Sequence, residues 1–270
     1  MAKNKLAKFA AMATYSNVIQ PSLFIKPKDF DGKLPDSYPL KEEFLLKGNW
    51  RKDYFHNDND IVIELGCGKG EYTVELAKRF PDKNFIGVDI KGSRMYTGAT
   101  EATNLNLSNV AFLRTRIELI SLFFAEDEVD EIWITFPDPQ MKKRTKRMTS
   151  TGFLAQYAKF LKKDGHINLK TDSKFMYLYT KEVIKVNELE TIMDTDDLHN
   201  NPVKDDEVNK WLTEIKTYYE KQWIARGMTI KYLNFKLNNT KTLEEPETEI
   251  ELDDYRSFGR EKRSALNISK

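Results

Sequence analysis

From Asp60 onward the chain alternates short apolar runs with longer amphipathic ones. Ile61-Val62-Ile63-Glu64-Leu65 is the dense aliphatic pattern of a strand buried on both faces. It runs into Gly66-Cys67-Gly68-Lys69-Gly70, after which Tyr72, Val74, Leu76 and Ala77 fall at helical spacing until Pro81 stops them. The same reading predicts strands at 85–89, 110–113, 131–136 and 166–170, with helices at 91–104 and 152–161 between them. A helix starts near Ser173, a strand covers 189–193, a charged helical pattern covers 203–226 with Gly227 at its end, and 230–237 alternates as a last strand. Strands and helices taking turns at this length predict an α/β fold with a doubly wound, mostly parallel, seven-stranded sheet. Ligands bind such sheets at the carboxyl ends of the strands.

The stretch before Asp60 has another texture. Pro21, Pro27, Pro35 and Pro39 interrupt residues 1–55 repeatedly, which predicts an extended N-terminal arm tipped by Lys3, Lys5 and Lys8. Residues 56–240 form the α/β domain. Residues 241–270 read as a polar, acidic tail, with Glu244, Glu245, Glu247, Glu249, Glu251, Asp253 and Asp254 close together. It has two readings, a solubilising tail or a segment that folds over a basic cleft.

Composition narrows the class. At 40% apolar and 12% aromatic residues, the 270-residue chain can bury a large core. No apolar run is long enough to span a membrane and no signal-type core follows Met1, so a cytoplasmic protein without membrane contact is expected. One cysteine and three histidines leave little for a disulfide or a zinc site, and no metal is expected. The 43 Lys and Arg nearly cancel the 42 Asp and Glu, but Lys142, Lys143, Arg144, Lys146 and Arg147 place five cations in six positions. Such a run is a solvated loop or a phosphate-binding patch.

Candidate chemistry gathers just after the predicted strands. Gly66, Gly68 and Gly70 lie where backbone meets a ligand closely, but the spacing is not that of the dinucleotide fingerprint, which wants glycine at Glu71. Glu64 turns a carboxylate toward this loop, which suits an ammonium or sulfonium ligand and repels a phosphate. Asp89, 25 positions on, is placed to accept from ribose hydroxyls. The competing reading is a tight turn with a solvated acid. In Phe136-Pro137-Asp138-Pro139 two prolines hold one carboxylate at a strand exit, as a site acid or a simple turn. Asp172 either caps the helix near Ser173 or faces a ligand, and Thr217 and Glu220 share a helix face that is also compatible with plain surface.

The loop with Glu64 and Asp89 resembles the S-adenosylmethionine-dependent methyltransferases. With FPDP, KKR, LKTD and TYYE following ELGCGKG in order over about residues 60–237, the chain resembles the bacterial single-subunit tRNA (guanine-N7-)-methyltransferases. The resemblance implies a Rossmann-like methyltransferase fold, S-adenosyl-L-methionine as cofactor and tRNA as partner, with the guanosine at position 46 as target. It implies a cofactor site lined by Glu64, Gly66, Gly68, Gly70, Asp89, Arg116 and Asp138, with Asp138 catalytic. Lys142, Asp172, Thr217 and Glu220 would meet the guanosine and nearby tRNA, and Arg144 and Arg147 would hold phosphate. The chain departs from the family pattern at Gln140, where tryptophan is usual, at Thr145, often histidine, at Asp89, usually glutamate, and in a basic loop one residue shorter.

Guanine N7 has a lone pair and no proton, so its methylation calls for positioning and electrostatics rather than a base. Other readings are a nicotinamide-dependent oxidoreductase, which the glycine spacing and Glu64 disfavour, a methyltransferase acting on another RNA, and an inactive tRNA-binding adaptor, which Gln140 and Thr145 motivate. Either a monomer or a homodimer fits the sequence.

Overall fold

The computed structural model describes residues 2–22, 40–201, 206–237 and 242–254. Eight strands form one sheet: β1 (Val18–Ile19), β2 (Asp60–Leu65), β3 (Lys83–Val88), β4 (Val110–Leu113), β5 (Val129–Thr135), β6 (Leu161–Thr171), β7 (Thr191–Thr195) and β8 (Lys231–Lys236). Their order is β1-β4-β3-β2-β5-β6-β8-β7. All neighbours are parallel except β8, which runs antiparallel between β6 and β7. The carboxyl ends of β2 to β6 therefore share one edge. The strand order reverses between β2 and β5, which makes a crevice at that edge.

Helices α2 (Glu71–Arg79), α3 (Gly92–Asn104), α4 (Thr151–Tyr157) and α5 (Lys174–Val186) cover the two faces. Strand alternation divides the core between them. Ile61, Ile63 and Leu65 join one apolar layer, while Val62 joins the other with Tyr72, Val74 and Leu76 of α2. Burial on both faces explains why the parallel strands read as continuous apolar runs.

The structure differs from these expectations at several points. The segment before residue 56 is not an extended arm within the described residues. It contains α1 (Ala2–Met12), the edge strand β1 and a π-helical turn, Trp50–Phe55. Met12 and Trp50 are fully buried, and the Trp50 indole N–H donates to the Phe123 carbonyl at 2.9 Å. Here α1 lies before the first proline, and the aromatic turn after the last one supplies core. Pro27, Pro35 and Pro39 and the side chains of Lys3 and Lys5 lie outside the described residues. The extra strand β1 makes the sheet eight-stranded rather than seven-stranded.

The pattern over 203–226 resolves into α6 (Asp206–Glu214) and α7 (Tyr218–Ile224). Thr217 breaks it by capping α7, its Oγ1 accepting from the Glu220 N–H at 3.2 Å. Gly227, at φ +73°, follows the end of α7 in the left-handed region. Finally, the part of the acidic tail at 242–254 packs on the body, with Leu243 and Ile250 against the core and Asp253 buried. Residues 255–270 lie outside the described set.

Candidate active site at the carboxyl edge

The loop after β2 is built by an acid beneath it. Glu64 is buried, its Oε2 accepting from the Thr73 N–H at 2.9 Å and from the Thr73 hydroxyl, and its Oε1 from the Thr135 hydroxyl at 2.5 Å. Burial pushes its pKa up to about 7, against the pull of these hydrogen bonds. The carboxylate thus ties β2, the start of α2 and the end of β5 together.

The three glycines serve different needs. At Gly70 (φ +73°) an added Cβ would come within 2.6 Å of Phe112 and 3.2 Å of the Gly98 Cα, so this glycine is required for packing α2 against α3. Gly66 and Gly68 are also left-handed, yet a Cβ at Gly68 would approach only the Gly66 carbonyl, at 3.9 Å, and one at Gly66 only Ile117 and Met148, at 3.9 Å. Their faces border open space with a partly apolar wall, a cradle that fits a nucleoside-bearing cofactor. Asp89 sits across it, accepting from the Gly68 N–H at 3.0 Å and the Lys91 N–H at 2.7 Å. Arg116, expected to line the cofactor site, turns its guanidinium to Glu118 at 3.1 Å, and Ile117 and Met148 are the side chains facing Gly66.

Beyond β5 the backbone is held in unusual conformations on both sides of Asp138. Phe136 (φ 48°) and Gln140 (φ 46°) are left-handed without being glycine. Pro137 and Pro139 are buried and Asp138 between them is exposed, its Oδ1 accepting from the Gln140 N–H at 3.1 Å. The prolines act as a footing that points one carboxylate outward.

The basic run splits into two sets. Lys142, Lys143 and Arg144 are exposed. Lys146 pairs with Glu118 at 3.2 Å. Arg147 differs from the expectation of a phosphate ligand: it is buried, it donates to the Gln140 and Met141 carbonyls at 3.3 and 2.7 Å, and it lies over the rings of Phe175 and Tyr179. Its guanidinium is used to hold the loop that follows Asp138.

The acids after β6 and on α7 are interior groups. Lys170 and Glu220 are both 0% exposed and pair at 3.0 Å, and Lys170 also donates to the Leu212 and Ile215 carbonyls at 2.7 and 3.1 Å. All three ammonium protons are thereby used. Burial lowers the Lys170 pKa while Glu220 opposes that shift. His199 adds a contact to Glu220 at 3.2 Å. Asp172 is 1% exposed, with Lys231 donating to its backbone carbonyl at 3.1 Å. Ser173 rather than Asp172 caps α5, its Oγ accepting from the Met176 N–H at 2.9 Å. Tyr218 and Tyr219 are the exposed members of the TYYE string, with the Lys69 ammonium 4.2 Å from the centre of the Tyr218 ring.

Sequence reasoning missed Thr73, Thr135, Met148, Lys170 and Asp253. For Lys170 a signal existed, a lone cation ending an apolar strand, where an unpaired charge is not tolerated. The described residues contain no group of three or more His, Cys, Asp or Glu able to hold a metal ion, and no helix among them is long and apolar enough to cross a membrane.

A family model described as a putative methyltransferase matches residues 58–233. A tRNA (guanine-N(7)-)-methyltransferase of Bacteroides thetaiotaomicron is 54% identical over 270 residues, covering all of both chains. One from Porphyromonas gingivalis is 56% identical over 222 residues, 82% of this chain and 89% of that one. Among solved structures, a 30S ribosomal A1408 methyltransferase from an uncultured bacterium superposes with a TM-score of 0.52 at 17% identity, over 74% of this chain and 97% of the other, a likeness of fold.

Proposed function

We propose, from the premise that this chain belongs to the tRNA (guanine-N(7)-)-methyltransferase family, that its acceptor atom is N7 of the variable-loop guanosine at position 46 of tRNA. When bound, S-adenosyl-L-methionine supplies an electrophilic methyl group on a sulfonium, so that N7 forms the new N–C bond as the C–S bond breaks and no proton is transferred. The protein's task is then to hold, orient and compensate charge.

Gly66 and Gly68 provide the cradle, Asp89 the acceptors for a ribose, and Ile117 with Met148 an apolar wall. Glu64 shapes this cradle from beneath. The observation that carries the reading is Asp138, an exposed carboxylate fixed on two buried prolines at the carboxyl edge, with exposed Lys142, Lys143 and Arg144 a few residues beyond. Asp138 faces the positive charge that develops on the purine, and the three cations hold phosphate without reading sequence. Asp172, Thr217 and Glu220 form the inner wall, and a guanosine reaches their polar atoms only where that wall gives way to it. An accessible loop base of a folded RNA is the target such a site suits. The enzyme acts on tRNA in the cytoplasm.

The test is transfer of labelled methyl to unmodified bulk tRNA followed by nucleoside analysis. We expect 7-methylguanosine, lost when the variable-loop guanosine is replaced, and a fall of about 100-fold or more in kcat for Asp138→Ala with an unchanged melting temperature. An unchanged rate in that variant would overturn the role of Asp138.

A further inference from the structure

We propose that Asp253, carried on the C-terminal segment 242–254, is a positioning residue for the loops that carry Asp138 and Asp172. This rests on the function proposed above. The segment runs back along α5 from its C-terminal to its N-terminal end. Glu244 exchanges two hydrogen bonds with the Asn187 side chain, at 2.6 and 2.8 Å. Thr248 then donates to Glu182 at 2.8 Å, and Glu251 meets Lys174 at 3.5 Å.

Two of the tail's acids end on helix N-termini. Glu245 accepts from the Thr151 N–H at 3.1 Å and its hydroxyl at 2.7 Å, at the first residue of α4, and from the Tyr179 hydroxyl at 2.7 Å. Asp253 accepts from the Phe175 N–H at 2.9 Å and from the Ser173 hydroxyl, at the start of α5. Carboxylates there satisfy free backbone donors and complement the helix dipole, a physical reason for the acidic composition.

Asp253 reaches both site loops. Its carboxylate holds Ser173, the neighbour of Asp172, and its backbone N–H donates to the Met141 sulfur at 3.2 Å, three residues after Asp138. Arg147, stacked on Phe175 and Tyr179, closes the same ring of contacts from the Asp138 side. None of these groups belongs to the cradle at Gly66, Gly68 and Asp89. Loss of Asp253 therefore loosens the acceptor side and spares the cofactor side.

The experiment compares wild type with Asp253→Ala, Asp253→Asn and, as a control on the same segment, the exposed Glu249→Gln. Asp253→Ala should lower kcat/KM for tRNA roughly 10- to 100-fold, the size expected of a misplaced acceptor site, with S-adenosylmethionine affinity within about twofold. Asp253→Asn, which keeps an acceptor for the Phe175 N–H, should recover part of the loss, and Glu249→Gln should match wild type. Unchanged tRNA kinetics in folded Asp253→Ala would overturn the proposal, as would a parallel loss of cofactor affinity. Amide hydrogen exchange read on the same proteins does not depend on the acceptor: faster exchange at 140–143 and 173–176 in Asp253→Ala supports the strap, and unchanged exchange overturns it. Should wild type make no 7-methylguanosine, the proposed function falls and the exchange result still decides the strap.

Discussion

The glycine loop after β2 and the acid loop after β6 lie on one sheet edge, but they are assembled differently. Apart from Thr135 and the apolar wall of Ile117 and Met148, the first is closed by neighbours: Thr73 is 9 positions from Glu64, and Asp89 is 21 positions from Gly68. The second depends on distant chain, since Glu220 reaches back to Lys170 and Asp253 is 80 positions from Ser173. The cradle is made mostly of backbone and opens outward. The second holds charged groups out of water, Lys170 against Glu220 and Asp253 against Ser173 and the Phe175 N–H, and removing one member of the Lys170–Glu220 pair leaves the other stranded.

The contrast is broken most severely at Lys170. Lys170→Ala leaves Glu220 buried without its cation and should cost about 3–5 kcal/mol in urea unfolding, far more than any exposed lysine. Lys170→Met with Glu220→Gln, which removes both charges, should recover a large part of that loss.

The two glycine types give a smaller, opposite pair of effects. Gly70→Ala meets Phe112 and the Gly98 Cα and should cost about 1–3 kcal/mol of stability by overpacking. Gly68→Ala has room but an unfavourable φ, so it should cost nearer 1 kcal/mol. Its main effect should be weaker S-adenosylmethionine binding, read by calorimetry. Equal cofactor losses in both variants would remove the distinction.

Glu64 sharpens the comparison through pH. Its pKa is raised in the folded state, so the stability tied to its protonated form is complete below about 4.5 and is lost as pH rises through about 7. In Glu64→Gln that loss is absent, and the difference in melting temperature between variant and wild type should move in the variant's favour from pH 5 to 8. A constant difference would refute the raised pKa.

The gentlest change is at the rim. Lys142→Ala or Arg144→Ala should leave the melting temperature alone and reduce the salt dependence of tRNA binding by about one counterion each, across all tRNAs tested. The same substitution at Arg147 should instead lower stability, because its guanidinium is spent on the loop and on two aromatic rings.

How far each region can be read in the sequence follows the same division. The order of strands and helices from Asp60, the glycine loop, Asp89 and the proline-held Asp138 are written in contiguous residues. Their local spacing is their cause, and the structure places them together at one edge. The structured parts of the N-terminal segment escape the sequence, and the two readings of the tail stay open in it, because prolines and acids report local conformation and composition. Neither tells whether a turn such as Trp50–Phe55 enters the core or whether Asp253 finds a helix N-terminus. Gln140, where the resembled family usually has tryptophan, takes a left-handed backbone conformation after Asp138, which its identity alone does not reveal.

The sequence by itself determined a doubly wound sheet with a glycine loop at its carboxyl edge, because period-two and helical apolar patterns and a glycine loop act over a few residues. Only the tertiary structure decided that Glu220 is the counter-ion of Lys170, that Arg147 is a loop clamp and that the acidic tail straps α5. Each of these depends on which distant groups the topology brings within hydrogen-bonding distance inside the protein, where an unpaired charge is too costly to persist.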